Sequence, residues 1–188
     1  INFVGKHYSI ASFDELKNQV IIINGVSKGY AMTGWRIGYM AAPQDVAMAC
    51  DKMQGQFTSA ASSIAQKAAK AAISISTPDR DMMVETFRKR RDLVLNLMKD
   101  IPGWKTNTPE GAFYVFPDIS YYFGKTDGSS TIKNPEDMCM YLLKDAKVAL
   151  VTGEAFGDNN CIRFSYATSE NLLVEAISRI KVSLAKLK

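Results

Sequence analysis

Val20, Ile21, Ile22 and Ile23 form a short run of β-branched apolar residues bounded by polar ones, a pattern that predicts a strand buried on both faces. A polar turn follows. Arg36 to Ala42 (RIGYMAA) then predicts a second strand, ended by Pro43. From Gln44 to about Phe57 the apolar residues adopt helical spacing, with Val46, Ala47, Cys50 and Met53 on one side. A break at Thr58-Ser59 leads to an alanine-rich helix from about Ser62 to Ser74. Thr77-Pro78-Asp79 marks a further helix start, with a Thr cap, proline at the first helical position and an acid in the first turn. That helix is expected to run to about Ile101, where Pro102-Gly103 stops it, with Met83, Phe87, Val94, Met98 and Ile101 on its apolar face. The cluster Arg88-Lys89-Arg90-Arg91 is then expected to lie mostly on its solvated side.

Past this helix the pattern becomes more mixed. Ala112 to Phe116 (AFYVF), Val148 to Val151 and Cys161 to Ser165 predict strands, and a helix is expected from Asn134-Pro135. The Gly/Ser-rich stretch at 124–133 predicts a flexible surface loop. The last helix begins near Ser169 and carries Leu173, Ile177, Ile180, Leu184 and Leu187 on one face. Strands and helices in alternation, a long helix, then a smaller mixed lobe together predict α/β followed by α+β. The expected division is 1–76, an inter-domain helix at 77–101, and a small domain at 102–188.

Composition narrows the function classes. The 188 residues are 47% hydrophobic and 22% charged, as in an ordinary globular protein. No apolar run approaches the ~18 residues of a membrane span. Cys50, Cys139 and Cys161 are scattered and His7 is the only histidine, so neither a metal site nor a disulfide framework is expected. A reducing, cytoplasmic setting is the default. His7, among Gly5, Lys6 and Tyr8, reads as a surface residue, which removes most histidine-activated nucleophile schemes. The net charge of +4 permits an anionic ligand, but no aromatic-interleaved basic patch points to nucleic acid.

The candidate chemistry lies in the turn after the first strand. In open α/β sheets, ligands collect in loops at the carboxyl ends of strands, where Lys28 sits. An ordinary lysine has a pKa near ~10.4, leaving about one in ~2,500 as free amine at pH 7. A reactive lysine therefore needs burial, a neighbouring cation, or a carbonyl cofactor that holds it as an imine. Arg36, close in sequence, carries a donor fork that matches a phosphate bidentately. Each has a plainer reading, Lys28 as a solvated loop lysine and Arg36 as a strand-edge arginine.

The stretch SKGYAMTGWRIGY (27–39) resembles the cofactor-lysine motif of the fold type I, pyridoxal-phosphate-dependent aminotransferases of the aspartate aminotransferase-like group. GAFYVFPDIS (111–120), VTGEAFG (151–157) and CIRFSYATSENLLVEAISRI (161–180) resemble the small-domain elements of that group, in the same order. The resemblance implies an end portion of the large, mostly parallel-sheet domain, a long connecting helix and an α+β small domain. It further implies that Lys28 anchors the aldehyde of pyridoxal 5'-phosphate and shuttles a proton, that Arg36 binds the phosphate, and that Arg163 clamps the substrate α-carboxylate. Arg163 could instead pair with a surface carboxylate. Phe113 and Tyr114 either border the substrate pocket or are plain core, and Trp35 is expected to pack structurally. The implied reaction is amino-group transfer from an amino acid, aspartate by nearest resemblance, to a 2-oxo acid such as 2-oxoglutarate, in a cytoplasmic homodimer with 54–66 near the interface. Aminotransferases for aromatic or other amino acids, and a silent interaction module, are the alternatives.

Two positions depart from the family pattern. Many relatives carry a hydroxyl residue where this chain has Gly25, which offers only its backbone N–H to a phosphate. Relatives often have proline where this chain has Thr152. The family's partner acid for the pyridine nitrogen lies farther upstream than the 27 residues before Lys28. The chain is therefore expected to be the C-terminal part of such an enzyme, inactive alone, with an exposed sheet edge that favours self-association.

Overall fold

The structure is a computed structural model that describes residues 1–75 and 78–188. β1 (Ile22–Gly25) and β2 (Gly38–Ala41) form an antiparallel pair in the register Ile22↔Ala41 to Gly25↔Gly38. Two helices follow, α1 (Gln44–Phe57) and α2 (Ser63–Ser74), then the long α3 (Pro78–Met98). The expected Thr77 cap lies outside the described residues. β3 (Tyr114–Val115), α4 (Pro135–Asp145), β4 (Val151–Thr152), β5 (Ile162–Ser165) and α5 (Glu170–Leu184) complete an α/β chain, with a three-stranded antiparallel sheet in the order β3-β5-β4. The chain separates into two units, Gly5–Met83 and Ile1–Val4 with Val84–Lys188.

The second of these units is built on a continuous core. The face predicted for the last helix is the buried one: Leu173, Ile177, Ile180 and Leu184 pack with Ile162 and Phe164 of β5, Val115 of β3, and Val94 and Met98 of α3. α4 starts where its sequence signals say, with Asn134 Oδ1 accepting the Asp137 N–H at 2.8 Å and Pro135 in the first turn. β5 alternates, sending Ile162 and Phe164 into this core and Arg163 and Ser165 to the other face.

Three expectations for this unit are corrected. The arginine cluster is not simply a solvated face: Arg91 is buried, donates to the Pro109 carbonyl and pairs with Asp92, and its guanidinium lies 4.6 Å from the Phe3 ring centre. Arg88 donates to the Phe3 carbonyl. Both fasten residues 1–4, which also bond Glu110 and Ala112 through the backbone. The loop at 124–133 is tied down, because Asp127 accepts the Ser129 and Ser130 N–H groups and Thr126 exchanges backbone bonds with Lys188. α3 ends at Met98 rather than Ile101, in a turn closed by Ile101 N–H to Met98 C=O.

In the unit of Gly5–Met83 the first strand is not buried on both faces. Ile23 is 82% exposed, because β1 pairs only with β2 and no other described element of this unit covers it. α1 buries none of its side chains, and of its expected apolar side Met53 is exposed. Among the described residues of this unit the buried apolar side chains are few: Val26 and Met32, packed on Ala69 with Ala68 and Ala72 of α2, and Ala65 of the same helix.

Candidate active site

Val26 and Met32 are the two anchors of the turn that carries Lys28. Between them the backbone closes on itself, with Tyr30 N–H to Val26 C=O at 3.2 Å, Ala31 N–H to Lys28 C=O at 3.3 Å and Met32 N–H to Ser27 C=O at 3.1 Å. Lys28 is thus lifted out on a fastened turn, exposed while Val26 and Met32 are packed on α2. Ala31 and Arg36 hold positive φ angles of 53° and 51°, which cost a non-glycine residue about 1 kcal/mol each. Such strain persists where the surroundings over-determine it, and it clusters at functional sites.

Arg36 leaves the short turn Thr33–Trp35 and donates to the Thr33 carbonyl at 3.0 Å. No described carboxylate forms an ion pair with it. It lines an open hollow of about 620 Å³ with Ala31, Gly34, Trp35 and the start of α2 at Ser62 and Ile64. The N-terminal N–H groups of a helix and a guanidinium fork both favour an anion, so this hollow suits a phosphate by the chemistry of its donors. Trp35, expected to pack structurally, is 46% exposed and walls the hollow instead.

Gly25 gives a sharper result than its sequence suggested. Its N–H is taken by the Asn24 side chain, Oδ1 at 2.7 Å. A Cβ there would come within 3.3 Å of the Ile37 carbonyl and 3.5 Å of the Gly38 Cα. The glycine is matched to a close glycine pair across the two strands, and its N–H is engaged within its own strand.

Arg163 sits in the other unit, half-buried on the non-core face of β5. No described carboxylate pairs with it, contrary to its plainer reading. Its guanidinium carbon lies 4.4 Å from the Tyr114 ring centre and 4.3 Å from that of Phe156. Tyr114 therefore borders this site, whereas Phe113 packs against the core and towards Phe87. Phe156, within VTGEAFG, was not singled out by sequence reasoning; a lone aromatic in a turn carries no spacing signal. At the end of β4, just before the turn that carries Phe156, Thr152 leaves a buried hydroxyl with no partner among the described residues.

Burial pushes the Cys139 and Cys161 thiols up to about 11, so neither is a ready nucleophile. Among the described residues no group of three His, Cys, Asp or Glu side chains could hold a metal ion. No helix of the described residues is long and apolar enough to cross a membrane.

The family model for aminotransferase class I and II matches residues 1–180. The chain belongs to this family. Among similar proteins, a bifunctional aspartate aminotransferase and glutamate/aspartate-prephenate aminotransferase of Petunia hybrida is 48% identical over 97% of this chain and 39% of its own length. An aspartate aminotransferase of Pinus pinaster is 43% identical over 97% of this chain and 38% of that protein. The crystal structure of the aspartate aminotransferase from Rhizobium meliloti superposes with a TM-score of 0.93 at 43% identity, covering all of this chain and 48% of that one. This aminotransferase-family chain thus spans less than half the length of the relatives it matches.

Proposed function

We propose that this chain serves a pyridoxal 5'-phosphate-dependent aminotransferase that passes an amino group from an amino acid, aspartate by analogy with its relatives' names, to a 2-oxo acid such as 2-oxoglutarate. The observation that carries the reading is Arg163, a half-buried strand arginine for which no described residue supplies a carboxylate. A fork of donors held in that state is matched to a carboxylate brought by a ligand.

Each residue then has a defined task. Arg36, beside the start of α2, holds the cofactor's phosphate charge. Lys28 would hold the aldehyde end through Nζ, and the same amine is the group that would carry a proton to and from the substrate α-carbon. Arg163 binds the substrate α-carboxylate through its guanidinium fork. Bound pyridoxal phosphate supplies the conjugated ring that accepts the electron pair released at the α-carbon. The partner acid of its ring nitrogen lies, by the resemblance, outside these 188 residues, so the chain alone is expected to turn over little or not at all. The same reading includes a cytoplasmic homodimer. Supporting it, Met53, Phe57 and Ile64, in or beside the 54–66 stretch, are 59%, 80% and 72% exposed.

The test is spectroscopic. Pyridoxal phosphate added to the protein is expected to give the absorption band of a lysine-bound cofactor, lost in Lys28→Ala and weakened at least tenfold in apparent affinity in Arg36→Ala. A protein extended to the full length of its relatives that gives no band overturns the cofactor assignment. A band with equal or better turnover of aromatic amino acids moves the substrate away from aspartate.

A further inference from the structure

We propose that Tyr114 and Phe156 are positioning residues for Arg163, holding its cation by ring contacts so that its hydrogen-bond donors remain available to a carboxylate. This rests on the reading of Arg163 as a carboxylate-binding residue and adds how the arginine is kept ready.

The arrangement follows from strand alternation. Because Ile162 and Phe164 are committed to the core, Arg163 must emerge on the opposite face of the central strand. Tyr114, paired with Ser165 in the register of β3 and β5, is its diagonal neighbour on that face. On the other side the chain leaves β4 into the short turn Gly153–Phe156, which delivers Phe156. The turn is fixed. Gly153 N–H bonds the Cys161 carbonyl at 2.8 Å, and a side chain at Gly153 would collide with the Cys161 and Asp158 carbonyls. Phe156 is braced edge-on by Phe116, with ring centres 6.2 Å apart at 89°, and Tyr114 meets Phe113 in a tilted contact at 4.4 Å and 46°.

The chemical consequence lies in what the two rings leave unused. A carboxylate neighbour would hold the guanidinium by consuming its N–H groups, whereas the ring faces attract the charge through their quadrupoles. An arginine without any neighbour would be ordered only when ligand arrives, at a cost in side-chain freedom. With a ring on either side, at 4.4 and 4.3 Å, that ordering precedes binding.

The test uses the isotope-labelled 188-residue chain, with L-aspartate as probe and the Arg163 Nε–H resonance as readout. In the unmodified chain this proton is expected upfield of solvated arginines, shifted by ring currents. Phe156→Leu and Tyr114→Leu should each move it back and weaken aspartate binding roughly fivefold, the scale of one partly desolvated cation–ring contact. Tyr114→Phe, which keeps a ring, should retain both shift and affinity. An unshifted proton in the unmodified chain, or leucine variants with unchanged affinity while Arg163→Ala abolishes binding, overturns the clamp and leaves the carboxylate reading standing. Unchanged binding in Arg163→Ala overturns that reading itself. Should Phe156→Leu fail to fold, Tyr114→Leu and the unmodified resonance decide.

Discussion

The two units of this chain differ in how much of their own stability they contain. Residues 84–188 with 1–4 enclose a continuous core from α3, the three-stranded sheet, α4 and α5. Residues 5–83 bury little beyond Val26, Met32, Ala65 and Ala69, and leave Ile23, Phe57, Ile64 and Tyr8 largely exposed. At ~25 cal/mol per Å² of buried apolar surface, the first is the stronger candidate for autonomous folding. The lesson concerns location as much as stability. The unit with the sparse core presents Lys28 and Arg36, and there the packing that exists is spent on fastening one turn.

The largest test of this contrast is Ile177→Ala against Ile23→Ala. Ile177 is 1% exposed, and its truncation is expected to cost about 3 kcal/mol in denaturant unfolding. Ile23→Ala should fall within about 0.5 kcal/mol. Equal costs would break the comparison. Arg91→Ala is next, at about 2 kcal/mol, because it removes a buried charged donor from the Pro109 carbonyl and the cation from the Phe3 ring. Faster amide exchange at Phe3, whose N–H bonds Glu110, would show that residues 1–4 had come loose. Thr152→Pro should instead stabilise by about 1 kcal/mol, since φ is already −60° and an unpartnered buried hydroxyl is removed. A loss of stability there would mean the Thr152 N–H has a needed partner.

The smallest effect is pH-dependent. Asp145 accepts from Lys186 at 2.7 Å and from Ser183, and these bonds hold its carboxyl below the ordinary aspartate range. Its contribution is complete above the unfolded-chain pKa and is lost as pH falls below about 4 through the depressed folded value. Asp145→Asn should therefore remove under about 1 kcal/mol at neutral pH, and flatten the acid limb of the stability curve. An acid limb identical to that of the unmodified chain would assign the loss to other groups.

Local pattern was enough where one element answers to one surface. The buried face of α5, the Asn134-Pro135 start of α4 and the extent of α1 and α2 were all legible. It misplaced β4, predicting 148–151 where the strand is Val151–Thr152, because a strand this brief is set by its partner. It also misjudged Arg91, since helical spacing says which side a residue is on but not that Phe3 returns to cover that side.

The sequence by itself determined the family through a lysine motif and three later motifs in fixed order, and it named Lys28, Arg36 and Arg163 as the residues to follow. Tertiary structure alone decided their surroundings: Arg36 and Trp35 in a hollow that the start of α2 also lines, and Arg163 between Tyr114 and Phe156 with no described carboxylate. The physical reason is distance along the chain. A motif records neighbours joined by covalent bonds, whereas the 4 Å surroundings of a guanidinium are assembled by strand pairing from residues that no local pattern connects.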